Sequence, residues 1–324
     1  MESLPKNRVL HFKPDTLAVV RELHQIVLIE GICLNNSILK SITTFNEKWE
    51  PKIPKNLKSK FSKFPAREYL ERAIVVSKGS VERAKRKLEK TCTYRTLIPD
   101  LFEFSNPRDL LKEYEGIVLN FILPQVTENY DRVYVLRNTG KKFQSFTNYY
   151  NFGYFVKYLQ ACEYLLTNDY SNGVIAIFDY QEALILEIIK AMNLTEFRQV
   201  ISIVTEAFSL RLKGIHFITS SRAIDTFVSI LKQVMSEKIA NRIHVHKDLT
   251  TLKDYIPLEI LPIEYGGEEK SMNELQGMYL SSPEFTAHLT EMRSARTDES
   301  KRHPESLHDL YKGMPGSFRA LCVD

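Results

Sequence analysis

Cysteine is scarce in this chain: four in 324 residues, at Cys33, Cys92, Cys162 and Cys322, with no Cys-x-x-Cys and no paired spacing. The N-terminus also opens without an apolar signal segment. Together these argue against a disulfide scaffold and predict a reduced, cytoplasmic setting. No apolar run approaches the about 18 residues that a membrane-crossing helix needs. Cys322 stands third from the end, out of place for a prenylation signal. The chain is therefore expected to touch a membrane peripherally and not to span it. Net charge is only +4, so any anion-binding surface has to be a local patch. There is no GxSxG, no GxxxxGK[ST] and no GxGxxG, which removes the nucleophile elbow, the phosphate cradle and the dinucleotide fingerprint. The expectation is a protein that is not an enzyme and uses no cofactor.

What is present is apolar material, 44% of the residues, enough for a sizeable core. It falls into two textures. From about Lys13 to Leu111 the pattern is helical: Leu17, Val20, Leu23 and Val27 recur near helical spacing. Ser80 opens a charged helix, SVERAKRKLEKTCTYR, with Val81, Ala84, Leu88 and Cys92 on one face. From about Gly116 strands and helices alternate. RVYVLR (132–137) and GVIAIF (173–178) read as strands, Tyr149 to Leu166 as a helix, and Thr195 as a possible cap of a helix running to about Leu210. Strands separated by helices imply crossovers and a mainly parallel sheet, an α/β fold.

The stretch from Phe208 to Gly267 is the most informative. A strand over 214–219 leads into an apolar helix over 224–235, and a second strand follows over 242–246. The helix places Ile224, Phe227, Val228, Leu231 and Met235 on one stripe. IHFITSSRAIDTFVSILKQVMSEKIANRIHVHKD followed by YIPLEILPIEYGGE resembles the CRAL-TRIO lipid-binding family, and within it the tocopherol-transfer and retinal-binding branch. SVERAKRKLEKTCTYRTLIPDLF is similar to that family's N-terminal helical domain, GVIAIFD to its central strand, and GSFRALCVD to the tail of insect-type members. The pattern is broken at YLERAIVVSKGS, where relatives carry an Arg-rich stretch, and at Ser220-Ser221-Arg222, where they have an aromatic residue or proline. The resemblance implies three parts: a helical domain over 1–112, a CRAL-TRIO lipid-binding domain over 113–270, and a C-terminal helix and tail over 271–324.

The resemblance further implies that the apolar helix is a mobile gate over a hydrophobic pocket on the sheet. The wall it implies takes in Val156 and Gln160, Val174 and Phe178 on the central strand, then Val200, Ile203, Val204, Phe208, Leu210, Leu212 and Ile215. The gate residues Ile224, Phe227, Val228, Leu231 and Met235 complete it. Ordinary core packing is the alternative for each. Strand alternation sends neighbours to opposite faces, so not all of them can face one cavity. Enclosing an isoprenoid tail at ~25 cal/mol per Å² would supply roughly 5–10 kcal/mol before ordering costs. Gln160, Thr219, Tyr180 and Ser202 are the polar side chains expected to choose a headgroup.

Arg211, Lys213, Lys238 and Arg242 stand where tocopherol-transfer proteins hold phosphoinositide headgroups, and the resemblance implies that role here. Cations suit it because phosphate accepts charge-assisted hydrogen bonds; a solvated charged face is the bland alternative. A second basic run, Lys52, Lys55, Lys58, Lys60, Lys63 and Arg67 with Phe61 and Phe64, fits either a membrane interface or a helix with a phenylalanine core. Nucleic acid is disfavoured, as no recognition motif accompanies it. His244 and His246 share a strand face with His216 nearby, a spacing that zinc can use, but no third ligand is evident, and no metal is expected. The sequence thus implies a carrier of one small hydrophobic ligand (a tocopherol, retinoid, carotenoid or similar isoprenoid) that exchanges it at phosphoinositide-containing membranes. The alternative is a membrane-recruited adaptor with a structural or vestigial lipid pocket.

Overall fold

The computed structural model describes residues 80–99, 116–140, 173–208 and 211–281, with residues 73, 77, 102, 171, 296 and 297. The expected helix over 149–166 and the second basic run lie outside them. The chain divides into two compact units. One comprises Met1–Phe12, Glu103–Asn193 and Leu210–Thr290; the other comprises Lys13–Phe102, Leu194–Ser209 and Glu291–Asp324.

The first unit is built on a five-stranded sheet in simple sequence order, β1-β2-β3-β4-β5. Its strands are β1 (Val118–Val126), β2 (Asp131–Asn138), β3 (Gly173–Asp179), β4 (Leu212–Ile218) and β5 (Ile243–His246). The first pair is an antiparallel hairpin and the other three pairings are parallel. The mainly parallel α/β sheet is therefore as expected, with an antiparallel strand added at one edge. That strand carries Pro124, which cannot donate to a ladder, and the register slips there between Ile122 and Val126.

Among the described residues this unit also has the helices α2 (Ile185–Ala191), α4 (Ala223–Val234), the short α5 (Glu237–Ala240) and α6 (Met272–Ser281). Ser271 and Glu274 form a capping box at the start of α6: Glu274 Oε2 accepts from the Ser271 N–H at 3.0 Å, and Ser271 Oγ from the Glu274 N–H at 3.3 Å. Both Glu264 carboxylate oxygens also accept from the Met272 N–H at 3.0 Å.

In the second unit, α1 (Val81–Leu97) begins at Ser80, whose side chain accepts from the Arg83 N–H. Ala84, Leu88 and Cys92 are buried along its inner face, while Val81 at the first turn is half-buried. Burial pushes the Cys92 thiol up to about 12, which keeps it protonated and unreactive. The helix packs on the π-helical turn Ile203–Phe208 that continues α3 (Leu194–Ser202). Tyr94 and Ser202 share a hydroxyl–hydroxyl bond of 2.9 Å, and Lys90 pairs with Glu206. Thr195 lies inside the first turn of α3, so it is not the cap.

Candidate functional site

The crossover from β4 to β5 holds the gate-like helix. Thr219 Oγ1 accepts from the Ser221 N–H at 3.2 Å and Ser221 Oγ from the Ala223 N–H at 3.3 Å. The Ser-Ser-Arg departure from the family pattern thus forms the entry turn of α4. Of the apolar stripe, Ile224, Phe227 and Leu231 are buried; Val228 is half-buried, and Met235 stands just past the helix end in extended conformation.

Phe227 enters a cluster of aromatic rings on the sheet. Phe178 of β3 stacks on Phe217 of β4 at 5.3 Å between centroids. Phe227 meets Phe217 edge-on at 5.6 Å and Tyr180 at 6.0 Å. Offset and edge-on packing at these separations adds to the area term. Register fixes which side chains share this face. Ala176 pairs with Ile215 and with Tyr134, Phe178 with Phe217 and Leu136, and Val174 with Leu212. Apart from the buried Arg132, which pairs with Val174, the face is apolar across three strands, and Phe227 of α4 lies over part of it.

At the start of β4 the register shifts so that Val174 faces Leu212 while Ile175 faces Gly214, leaving Lys213 as the extra residue. The bulge turns Lys213 to the opposite face, where its ammonium lies 3.8 Å from Asp131 Oδ1. Gly173 makes that crossing possible: a Cβ there would sit 2.6 Å from Lys213 Cγ. Burial pushes the Asp131 carboxyl up, and Lys213 pulls it back down. Arg242 donates to the Leu212 carbonyl, so it lies against the same strand start. Lys238 stands exposed on α5, four residues before it, and Arg211 is half-buried.

The opposite face carries a different assembly. His216 stacks between His244 at 4.9 Å and His246 at 5.2 Å, and Tyr255 packs edge-on against His216 at 4.9 Å. His216 Nδ1 and His246 Nε2 bond at 2.9 Å, and His246 Nδ1 bonds Thr251 Oγ1 at 2.7 Å. Gly214 leaves room for the stack, since a Cβ there would come 2.5 Å from His216 Nε2. These ring nitrogens are used on one another and on Thr251. Among the described residues no group of three or more His, Cys, Asp and Glu side chains is placed to hold a metal ion.

Asp179, at the carboxyl end of β3, is sealed. It accepts from the Gln181 N–H at 3.1 Å and the Tyr265 hydroxyl at 2.9 Å, and faces Arg137 Nε at 3.6 Å. Arg137 also donates to Glu182 at 2.8 Å. Burial raises the Asp179 carboxyl, and burial with the adjacent carboxylate raises the Tyr265 phenol. The turn that presents Tyr265 closes on Gly266 at φ 76°. Gly267 follows, where any Cβ would strike the Leu261 carbonyl. The LP–EYGG motif is thus a clasp: Tyr265 holds β3 and Glu264 holds α6. The strand order never reverses, so the crevice in which open α/β sheets usually seat ligands is missing from the carboxyl edge.

Residues 119–267 match the CRAL/TRIO domain. Alpha-tocopherol transfer protein-like of Mus musculus and of Homo sapiens are each 35% identical to it over 99 residues, 30% of this chain and 28% of each relative. The chain thus matches under a third of those relatives' length. The similarity lies in the tocopherol-transfer-like branch, as the motifs implied. The crystal structure of Sfh5 aligns with 82% of this chain and 92% of its own, at a TM-score of 0.46 and 16% identity.

All of the proposed wall lies within the matched residues 119–267. Val174, Phe178 and Ile215 share the α4 face of the sheet by register, with Leu212 opposite Val174 at the bulge. Val200, Ile203, Val204 and Phe208 are buried and belong to the second unit. Val156, Gln160 and Leu210 lie outside the described residues. Of the polar candidates, Ser202 is bonded to Tyr94 and Thr219 to Ser221.

Proposed function

We propose that this protein binds and transfers lipid, as a carrier and not a catalyst, and that it takes one small hydrophobic ligand on the sheet face beneath α4. The observation that carries the reading is the apolar face shared by β2, β3 and β4, capped by a helix whose buried stripe meets it through Phe227. A mostly apolar wall with few polar groups is the chemistry of a lipid site. The alpha-tocopherol transfer protein-like relatives support an isoprenoid-like ligand. Arg211, Lys213, Lys238 and Arg242 gather at the starting edge of β4 and β5, where anionic phosphoinositide headgroups would meet them and favour release. Headgroups drive opening only by binding the open state better.

Native mass spectrometry of the purified chain, with organic extraction, tests the carrier reading. A stoichiometric isoprenoid or other lipid is expected. An empty protein that takes up neither tocopherol nor retinoids nor phosphoinositides would refute it.

A further inference from the structure

Register lays five side chains in one row across the sheet, on the face where Phe227 of α4 meets Phe217: Asn120, Leu136, Phe178, Phe217 and Val245. Four are apolar. The fifth, on β1, is a carboxamide. Asn120 is 2% exposed. Its backbone N–H donates to Gln276 Oε1 at 2.7 Å, but its side-chain Oδ1 accepts no hydrogen bond from any described residue. An enclosed amide oxygen without a donor opposes folding, and a strand position that needed only packing would be better filled by valine or leucine.

We propose that Asn120 selects the head of the ligand: its Oδ1 takes the hydroxyl proton of an otherwise apolar lipid alcohol, whose body lies along the row over Leu136 toward Phe178 and Phe217. The inference rests on the carrier reading and names the class of lipid carried. Three strand spacings of about 4.8 Å separate Asn120 from Phe217, roughly 14 Å, enough for a ring and the first part of a tail. An ester or aldehyde head has no proton to give, so the amide oxygen stays unpaired even where the Asn120 Nδ2 donates to that head. Sites built to bond a hydroxyl reject analogues that lack it far more sharply than apolar walls reject a change of bulk.

The full chain is titrated with two matched pairs, α-tocopherol against α-tocopheryl acetate and retinol against retinaldehyde, by partition from neutral vesicles. The native chain is expected to hold the alcohol of each pair at least about tenfold more tightly. Asn120→Leu brings the members of each pair within about twofold, with an equal or higher thermal midpoint because the orphaned oxygen is gone. Asn120→Ser, which restores an acceptor, restores part of the preference. The assignment is overturned if Asn120→Leu still prefers the alcohols, or if it loses all four probes in proportion. Equal binding of both members by the native chain overturns it too, while the carrier reading stands. Failure to bind any of the four overturns the assignment and counts against the carrier reading as well.

Discussion

At the scale of single residues the histidine stack has the clearest measurable consequence. Burial first, then the neighbouring imidazoles of His246 and His244, hold His216 down to about 3. His246 is lowered as well, by burial first, against the pull of Asp254 and Asp248. In the unfolded chain each would protonate near pH 6.5, so the unfolded state binds more protons in acid. The contribution is therefore complete above about pH 6.5 and is lost as pH falls toward about 3. Between pH 7 and pH 5, His216 alone should cost roughly 2 kcal/mol of unfolding free energy. Urea titrations at the two pH values should show that fall, and His216→Phe, which keeps a flat ring in the stack, should remove it. An unchanged slope in that variant would place the titration elsewhere. The pairing of His244 and His246 on one strand face was readable from alternation alone, and Ser80 as a helix start from the helical pattern that follows it. Asn120 was not: a lone polar residue in a strand reads as surface until the register shows which face it is on. Tyr265 was visible only as part of a motif, because its partner Asp179 is 86 residues away in sequence.

At the scale of elements, strong periodicity or a β-branched run marked what the sequence shows. The strands over 132–137 and 173–178, the gate stripe and α1 stand within a few residues of their expected bounds. Strand β1 escaped because Pro124 interrupts it, and a proline is tolerated there at a register slip on an edge strand. The π-helical turn after α3 escaped too, since nothing in IVTEAF departs from α-helical patterning. Helix α4 meets the rings of the sheet through Phe227. Phe227→Ala should lower stability by about 3 kcal/mol, read as a shifted urea midpoint at unchanged slope. A loss below about 1 kcal/mol would mean that the helix is held to the sheet by something other than this ring.

At the scale of the whole molecule, a net charge of only +4 means that the proposed binding to an anionic surface would rest on a local patch. Among the described residues no helix is long and apolar enough to cross a membrane. The four cations at the strand starts are not equivalent. Lys213 faces Asp131 and Arg242 holds the Leu212 carbonyl, so reversing either also disturbs the sheet. Lys238→Glu is the cleaner test, because Lys238 is exposed. A cation near an anionic bilayer contributes about 1 kcal/mol, and reversal should double that, so the variant should weaken binding to phosphoinositide vesicles by roughly thirtyfold. Binding to neutral vesicles should not change. Equal loss on both would mean that Lys238 serves the fold. The strand order has a consequence for how the sheet is made. Each strand from β2 to β5 finds its partner in the strand synthesised just before it, so the sheet can be laid down in the direction of translation, starting from the β1–β2 hairpin. No slot has to be held open for a later segment, and β5 with its crossover helix is the last piece to arrive.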